Sequence, residues 1–166
     1  MAKGSVVRFV RFDMASGAPT KELLYNTDRI QRAPVPATGF AENGITEILS
    51  MDDSGERFLV LERSFSAGSS PPDRGFDVRL YLATTTKHTV DVIGREAVTG
   101  VVQSAALNKK LLFDVGKLGI VPDNLEGLQV VRTGCDETTV IVVSYDNFFE
   151  FGPQSTQFVF LKIRNV

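Results

Sequence analysis

The sequence predicts an all-β protein built from short antiparallel strands, on three observations. Period-two alternation recurs along its 166 residues, as in 5–13 (SVVRFVRFD), where Val6, Arg8, Val10 and Phe12 fall on one side and Val7, Phe9 and Arg11 on the other. Runs of β-branched and aromatic residues are bounded by clusters of Gly, Pro, Ser, Asn and Asp, the residues that make turns. No segment carries a sustained helical stripe, so the pattern admits a short helix or two at most.

In chain order, 5–13 is the first strand and 21–27 (KELLYNT) its return, joined by Ser, Gly and Pro turn chemistry in 14–20. A loop with two prolines over 31–39 leads to 44–51 (GITEILSM), a turn at Asp52-Asp53-Ser54-Gly55, and 57–63 (RFLVLER). Residues 66–75 read as a flexible Ser, Gly and Pro-rich loop, and 76–84 as the fifth strand. The stretch 85–108 is ambiguous between a short strand, a helical turn and loop. Residues 110–115 (KLLFDV) form the sixth strand. A hairpin of 127–131 and 139–144 turns across 133–137, and 156–164 is the ninth strand.

Hydrophobic residues make up 43% and charged residues 23%, the balance of a globular domain with a core of its own. A formal net charge of −2, with the signs well mixed, disfavours a nucleic-acid partner or attraction to anionic lipid. Cys135, the single cysteine, can form no internal disulfide, and no Cys/His cluster exists to hold zinc. No run approaches the roughly 20 apolar residues of a transmembrane span, and no apolar signal segment precedes the first strand. The chain reads as soluble. Its compartment stays open, because a longer parent is free to carry an export or organelle signal.

The most informative feature is an internal repeat. Asn43-Gly44-Ile45 is followed by Leu59-Val60-Leu61 and then Phe65; Glu126-Gly127-Leu128 is followed by Val142-Val143-Ser144 and then Phe148. Gly44 to Phe65 and Gly127 to Phe148 are both 21 residues apart. Repeated antiparallel units of this kind signal a radial repeat, and the expectation is a partial β-propeller of about two blades plus flanking strands. Residues 2–30 then supply two outer strands of a preceding blade, 40–118 one full blade, and 122–166 most of the next. Such a chain begins and ends mid-blade, so its missing strands should come from the rest of a longer chain or from another subunit. A self-contained sandwich of the same nine strands is the alternative.

At these residues the chain resembles the phytase-like domain family, also described as esterase-like activity of phytase. The matching segments run in order through Asn43–Leu49, Leu59–Phe65, Val78–Tyr81, Lys110–Asp114, Asp123–Leu128, Ser144–Phe148 and Thr156–Phe158, over roughly 39–163. The resemblance implies the C-terminal portion of a domain about twice this length. It also implies phosphate-ester or related ester hydrolysis, with acidic residues as the candidates for catalysis. One departure is that Tyr145-Asp146 stands where the family tends to place two acidic residues.

In a propeller, ligands sit near the central channel, where innermost strands converge. Asn43, Asn124 and Glu126 lie at the starts of the proposed innermost strands, and Asp146 and Asn147 at the end of the strand beside the second of them. Glu62 and Arg63 hold the corresponding place one blade earlier. Carboxylate and amide oxygens suit a hard cation, and calcium is the ion expected, with Glu126, Asp146 and Asn124 as its ligands. Glu126 and Asp146 are accordingly the candidate catalytic pair, and Asn43, Glu62, Arg63, Asn124 and Asn147 the ligand-binding set for a small phosphate or carboxyl ester. The structural alternative is equally concrete: Asp-Asn and Asn-Gly pairs make turns, and Glu62 and Arg63 can form ion pairs between blades. His88 stands alone in a polar stretch, and no Gly-x-Ser-x-Gly elbow is present. Two functions follow: a metal-assisted hydrolase segment, or a non-catalytic propeller segment that binds or scaffolds.

Overall fold

A computed structural model describes residues 4–70, 72–98, 105–132, 137–145 and 154–164. They form nine strands: β1 Val6–Phe12, β2 Pro19–Asn26, β3 Ala41–Ser50, β4 Arg57–Ser66, β5 Phe76–Thr84, β6 Asn108–Asp114, β7 Leu125–Arg132, β8 Glu137–Ser144 and β9 Phe158–Arg164. Every expected strand is present, displaced by at most a few residues at its ends. A 3-10 turn at Val115–Leu118 follows β6 and is capped by Gly119 in the left-handed region.

The strands make three antiparallel sheets, β1-β2, β3-β4-β5-β6 and β7-β8-β9, each following chain order. Alternation along β4 explains how the sheets stack. Leu59 and Leu61 point into a core shared with Leu125, Val140, Val142 and Leu161 of the third sheet. Val60, between them, points into a second core with Phe9, Leu23 and Tyr25 of the first sheet. The middle sheet is thus buried on both faces, and β4 reads as a continuous apolar run because neither side meets water. Each such side chain removed from water is worth about 1.5–3 kcal/mol.

The stretch after β5 carries neither strand nor α-helix among its described residues. It crosses to the first sheet and closes the outer edge of β2: the Val92 and Leu107 amides donate to the Glu22 and Leu24 carbonyls at 2.9 and 2.8 Å. The Asp91 carboxylate accepts from the Glu22 amide at 3.0 Å, and Val92 and Ala106 bury Leu24. An edge so covered offers no template for foreign strands.

Two β-bulges position the site. Ile45 pairs with Glu62 but Glu47 pairs with Leu61, so Thr46 is the extra residue in β3. Leu125 pairs with Ser144 and Gly127 with Val143, so Glu126 is the extra residue in β7. The Thr46 hydroxyl lies 3.3 Å from the Leu125 carbonyl and joins β3 to β7. The sequence repeat is offset here: Gly44 pairs with Arg63, nineteen positions on, whereas Gly127 pairs with Val143, sixteen on. Asn43 and Glu126 therefore do not occupy matching rungs of their hairpins.

Candidate functional site: a cleft between the second and third sheets

Strand alternation sorts the expected site residues into two groups. Asn43 is paired across from Ser64, and Ile45 from Glu62, which puts Asn43 and Glu62 on the face toward the first sheet. Glu42 is paired with Phe65 and Gly44 with Arg63, on the face toward the third. Glu62 and Arg63, adjacent in sequence, thus serve opposite faces.

Glu62 is 2% exposed and its carboxylate is saturated. Oε1 accepts from the Tyr25 hydroxyl at 2.6 Å and Lys109 Nζ at 2.8 Å; Oε2 accepts from the Asp28 amide at 2.9 Å and Asn43 Nδ2 at 3.1 Å. Lys109 also pairs with Asp28 at 2.6 Å and lies 4.3 Å from the centroid of the Tyr81 ring. The Tyr81 hydroxyl donates to Asp28 at 2.5 Å. Burial, reinforced by the Glu62 carboxylate, pushes the Tyr25 phenol far above its ordinary value; burial and the bond to Asp28 do the same to Tyr81. Burial by itself would raise the Asp28 carboxyl, but the bonds from Lys109 and Tyr81 and the charges of Lys109 and Arg79 outweigh it and hold it below the usual range. With every lone pair of Glu62 occupied, this cluster is a polar clasp between the first and second sheets.

The other group meets in a cleft of about 280 Å³ between the second and third sheets. Arg63 is its hub. Nη1 donates to Asn124 Oδ1 and, at 2.8 Å, to Glu126; Nη2 donates to Glu42 at 3.0 Å. Its guanidinium carbon stands 5.7 Å from the Phe76 ring centroid, and its buried Nε has no hydrogen-bond partner among the described residues. Glu126 owes its orientation to the β7 bulge: the extra residue resets the alternation, so that Leu125 and Leu128 both point inward. Just before it, Asp123 is wholly buried and accepts from the Asn124 and Ser155 amides, each at 2.8 Å, while pairing with Arg74. That anchor holds Asn124 in place. Phe40, Phe65 and Phe76 form the apolar wall.

The structure therefore brings Arg63, Asn124 and Glu126 together and places Asn43 and Glu62 in the separate clasp. Asp146 and Asn147 lie outside the described residues, as does Cys135. His88 is exposed in a turn beside a polar cleft that Asp28 and Lys109 also line. The oxygens of Glu126, Asn124 and Glu42 are of the kind calcium prefers, but all three already accept from Arg63. Among the described residues no group of three or more His, Cys, Asp or Glu is arranged to hold a metal. As arranged, these oxygens surround a guanidinium.

Sequence reasoning missed Glu42 and the three phenylalanines. Glu42 was within reach, since it stands two positions from Gly44 on the same face of a strand. Phe40 and Phe76 carried no such signal, because they enter the cleft from a loop end and a neighbouring strand.

The described residues thus define an all-β protein of three stacked antiparallel sheets, with a charged, aromatic-walled cleft between two of them. The sequence model of the family described as Phytase-like: Esterase-like activity of phytase matches residues 1–148, and the chain belongs to that family. The match reaches further toward the N-terminus than the motif resemblance did, and ends before β9. No curated protein and no solved structure matches the chain.

Proposed function

We propose that the chain is a run of about two blades with flanking strands from a phytase-like β-propeller, and that it binds and hydrolyses an ester in the cleft around Arg63. The observation that supports this is the junction of Arg63 on β4 with Asn124 and Glu126 of the next sheet, where a base and a cation stand side by side. Glu126 would take the proton of the attacking water, and Arg63 would offset the charge that develops on the ester oxygen. Blades would correspond to 2–30, 40–118 and 122–166. A calcium ion at Glu126, Asn124 and Asp146 would require Arg63 to move away.

The test is turnover of a model phosphate ester and a model carboxyl ester by the wild type and Glu126→Gln, with calcium titrated against the melting temperature of both. Turnover lost in Glu126→Gln supports the reading. A calcium-dependent rise in melting temperature that Glu126→Gln abolishes would place the ion with Glu126. Absence of turnover with either ester removes the hydrolytic part.

A second reading, a non-catalytic scaffold that takes further sheets from a longer chain or another subunit, is favoured by the outer faces. Phe158 and Phe160 of β9 are 63% and 65% exposed, Val131 of the same sheet is exposed too, and Val6 and Val10 of β1 are exposed at the opposite end of the stack. Apolar faces of this kind are normally covered. No helix among the described residues is long and apolar enough to cross a membrane.

A further inference from the structure

We propose that the Arg63 cleft takes an organic ammonium ion on a compact apolar body and disfavours phosphorylated ligands. This deepens the reading above and rests on the cleft being the binding site.

Three features support the ligand class. Two carboxylates face one guanidinium, so among the described residues the cleft carries an excess of one negative charge; the adjoining Asp123 is already matched by Arg74. The charges are also ordered by depth. Glu42 and Glu126 are 47% and 37% exposed while Arg63 is 18% exposed, so an entering ligand meets the anions before it reaches the cation. Both terminal nitrogens of Arg63 already donate to Glu126, Asn124 and Glu42, and a phosphate would have to displace those acceptors while facing two like charges.

The wall points the same way. Phe65 and Phe76 are cross-strand partners with centroids 5.1 Å apart, and Phe40 lies 6.1 Å from Phe65. Aromatic faces attract cations through their quadrupole, and Phe76 already receives the Arg63 guanidinium. About 280 Å³ accommodates a small ring or short chain and its ammonium head, with the head toward Glu42 and Glu126 and the body against the rings.

Three probes with one apolar body test it by calorimetry on the full chain at low ionic strength: benzyltrimethylammonium, benzyl alcohol and benzyl phosphate. The cation should bind about tenfold tighter than the alcohol, and the phosphate should not bind. Glu42→Gln with Glu126→Gln reverses the sign of the cleft and should reverse the preference, while Phe65→Leu should weaken the cation and keep the fold. Preference of the wild type for benzyl phosphate overturns the ligand class and leaves the cleft as a site. Cation binding unaffected by all these substitutions places the ligand elsewhere and overturns the inference. Silence of all three probes, with ester turnover still dependent on Glu126, refutes the ligand class alone; silence with no such dependence removes the cleft itself.

Discussion

Glu62 and Arg63 are neighbours on β4 that bond in opposite directions, Glu62 to Tyr25 and Lys109 of the clasp and Arg63 to Glu126 and Asn124 of the cleft. The pair makes one strand a structural fastening on one face and part of a cleft lining on the other. It also separates the consequences of substitution.

Loss of the clasp should appear as lost stability. Glu62→Ala leaves Lys109, Tyr25, the Asp28 backbone amide and the Asn43 side-chain amide without this acceptor, and should cost about 3–5 kcal/mol in chemical denaturation. Glu62→Gln, which keeps the shape and one acceptor oxygen, should cost less. A Glu62→Ala protein as stable as the wild type would mean that the sheets do not depend on this carboxylate.

Alkaline pH should loosen the same fastening. Tyr25 and Tyr81 have phenols raised above their ordinary value of about 10, so the folded state keeps protons that the unfolded chain releases. Their contribution is complete below about pH 10 and declines as pH rises above it. The denaturation midpoint should fall in that range, and Tyr25→Phe should flatten the fall. At the acid end the lowered Asp28 carboxyl acts with the opposite sign: its contribution is present above about pH 4 and is lost below it.

Burial decides which apolar residues matter. Leu61, fully buried between the second and third sheets, should cost about 2–5 kcal/mol as Leu61→Ala. Phe160→Ser, on the open face of β9, should change stability by no more than about 0.5 kcal/mol yet reduce self-association in sedimentation velocity. Unchanged self-association would argue against that face as a partner surface.

Two glycines with similar backbones should respond differently. Gly68 has φ +88°, and a Cβ there would collide with the Val35 carbonyl oxygen, at 1.8 Å; Gly17 has φ +70° with nothing within 4 Å. Gly17→Ala carries only the left-handed penalty of about 1–2 kcal/mol. Gly68→Ala should cost clearly more, read as the difference in thermal midpoint between the two variants.

Much of this was legible in the amino-acid order. Nine strands and the all-β class follow from alternation and turn residues, because a strand's side-chain period and its bounding glycines are local properties. The nomination of Arg63, Asn124 and Glu126 also came from sequence pattern, and these three meet. Equal spacing in the repeat groups Asn43 and Glu62 with them, but equal spacing is not equal position. The bulges at Thr46 and Glu126 break that equivalence by shifting the phase of each strand, and a bulge has no reliable signature in the residues themselves.

The chain by itself determined its strand content, its lack of a sustained helical stripe and its family, since each rests on short-range pattern or shared motifs. Only the tertiary arrangement decided which face of β4 meets which sheet, and so that Glu62 fastens while Arg63 opens onto a cleft. The reason is geometric: alternation says that two neighbouring side chains diverge, but the stacking of distant strands decides what each of them meets.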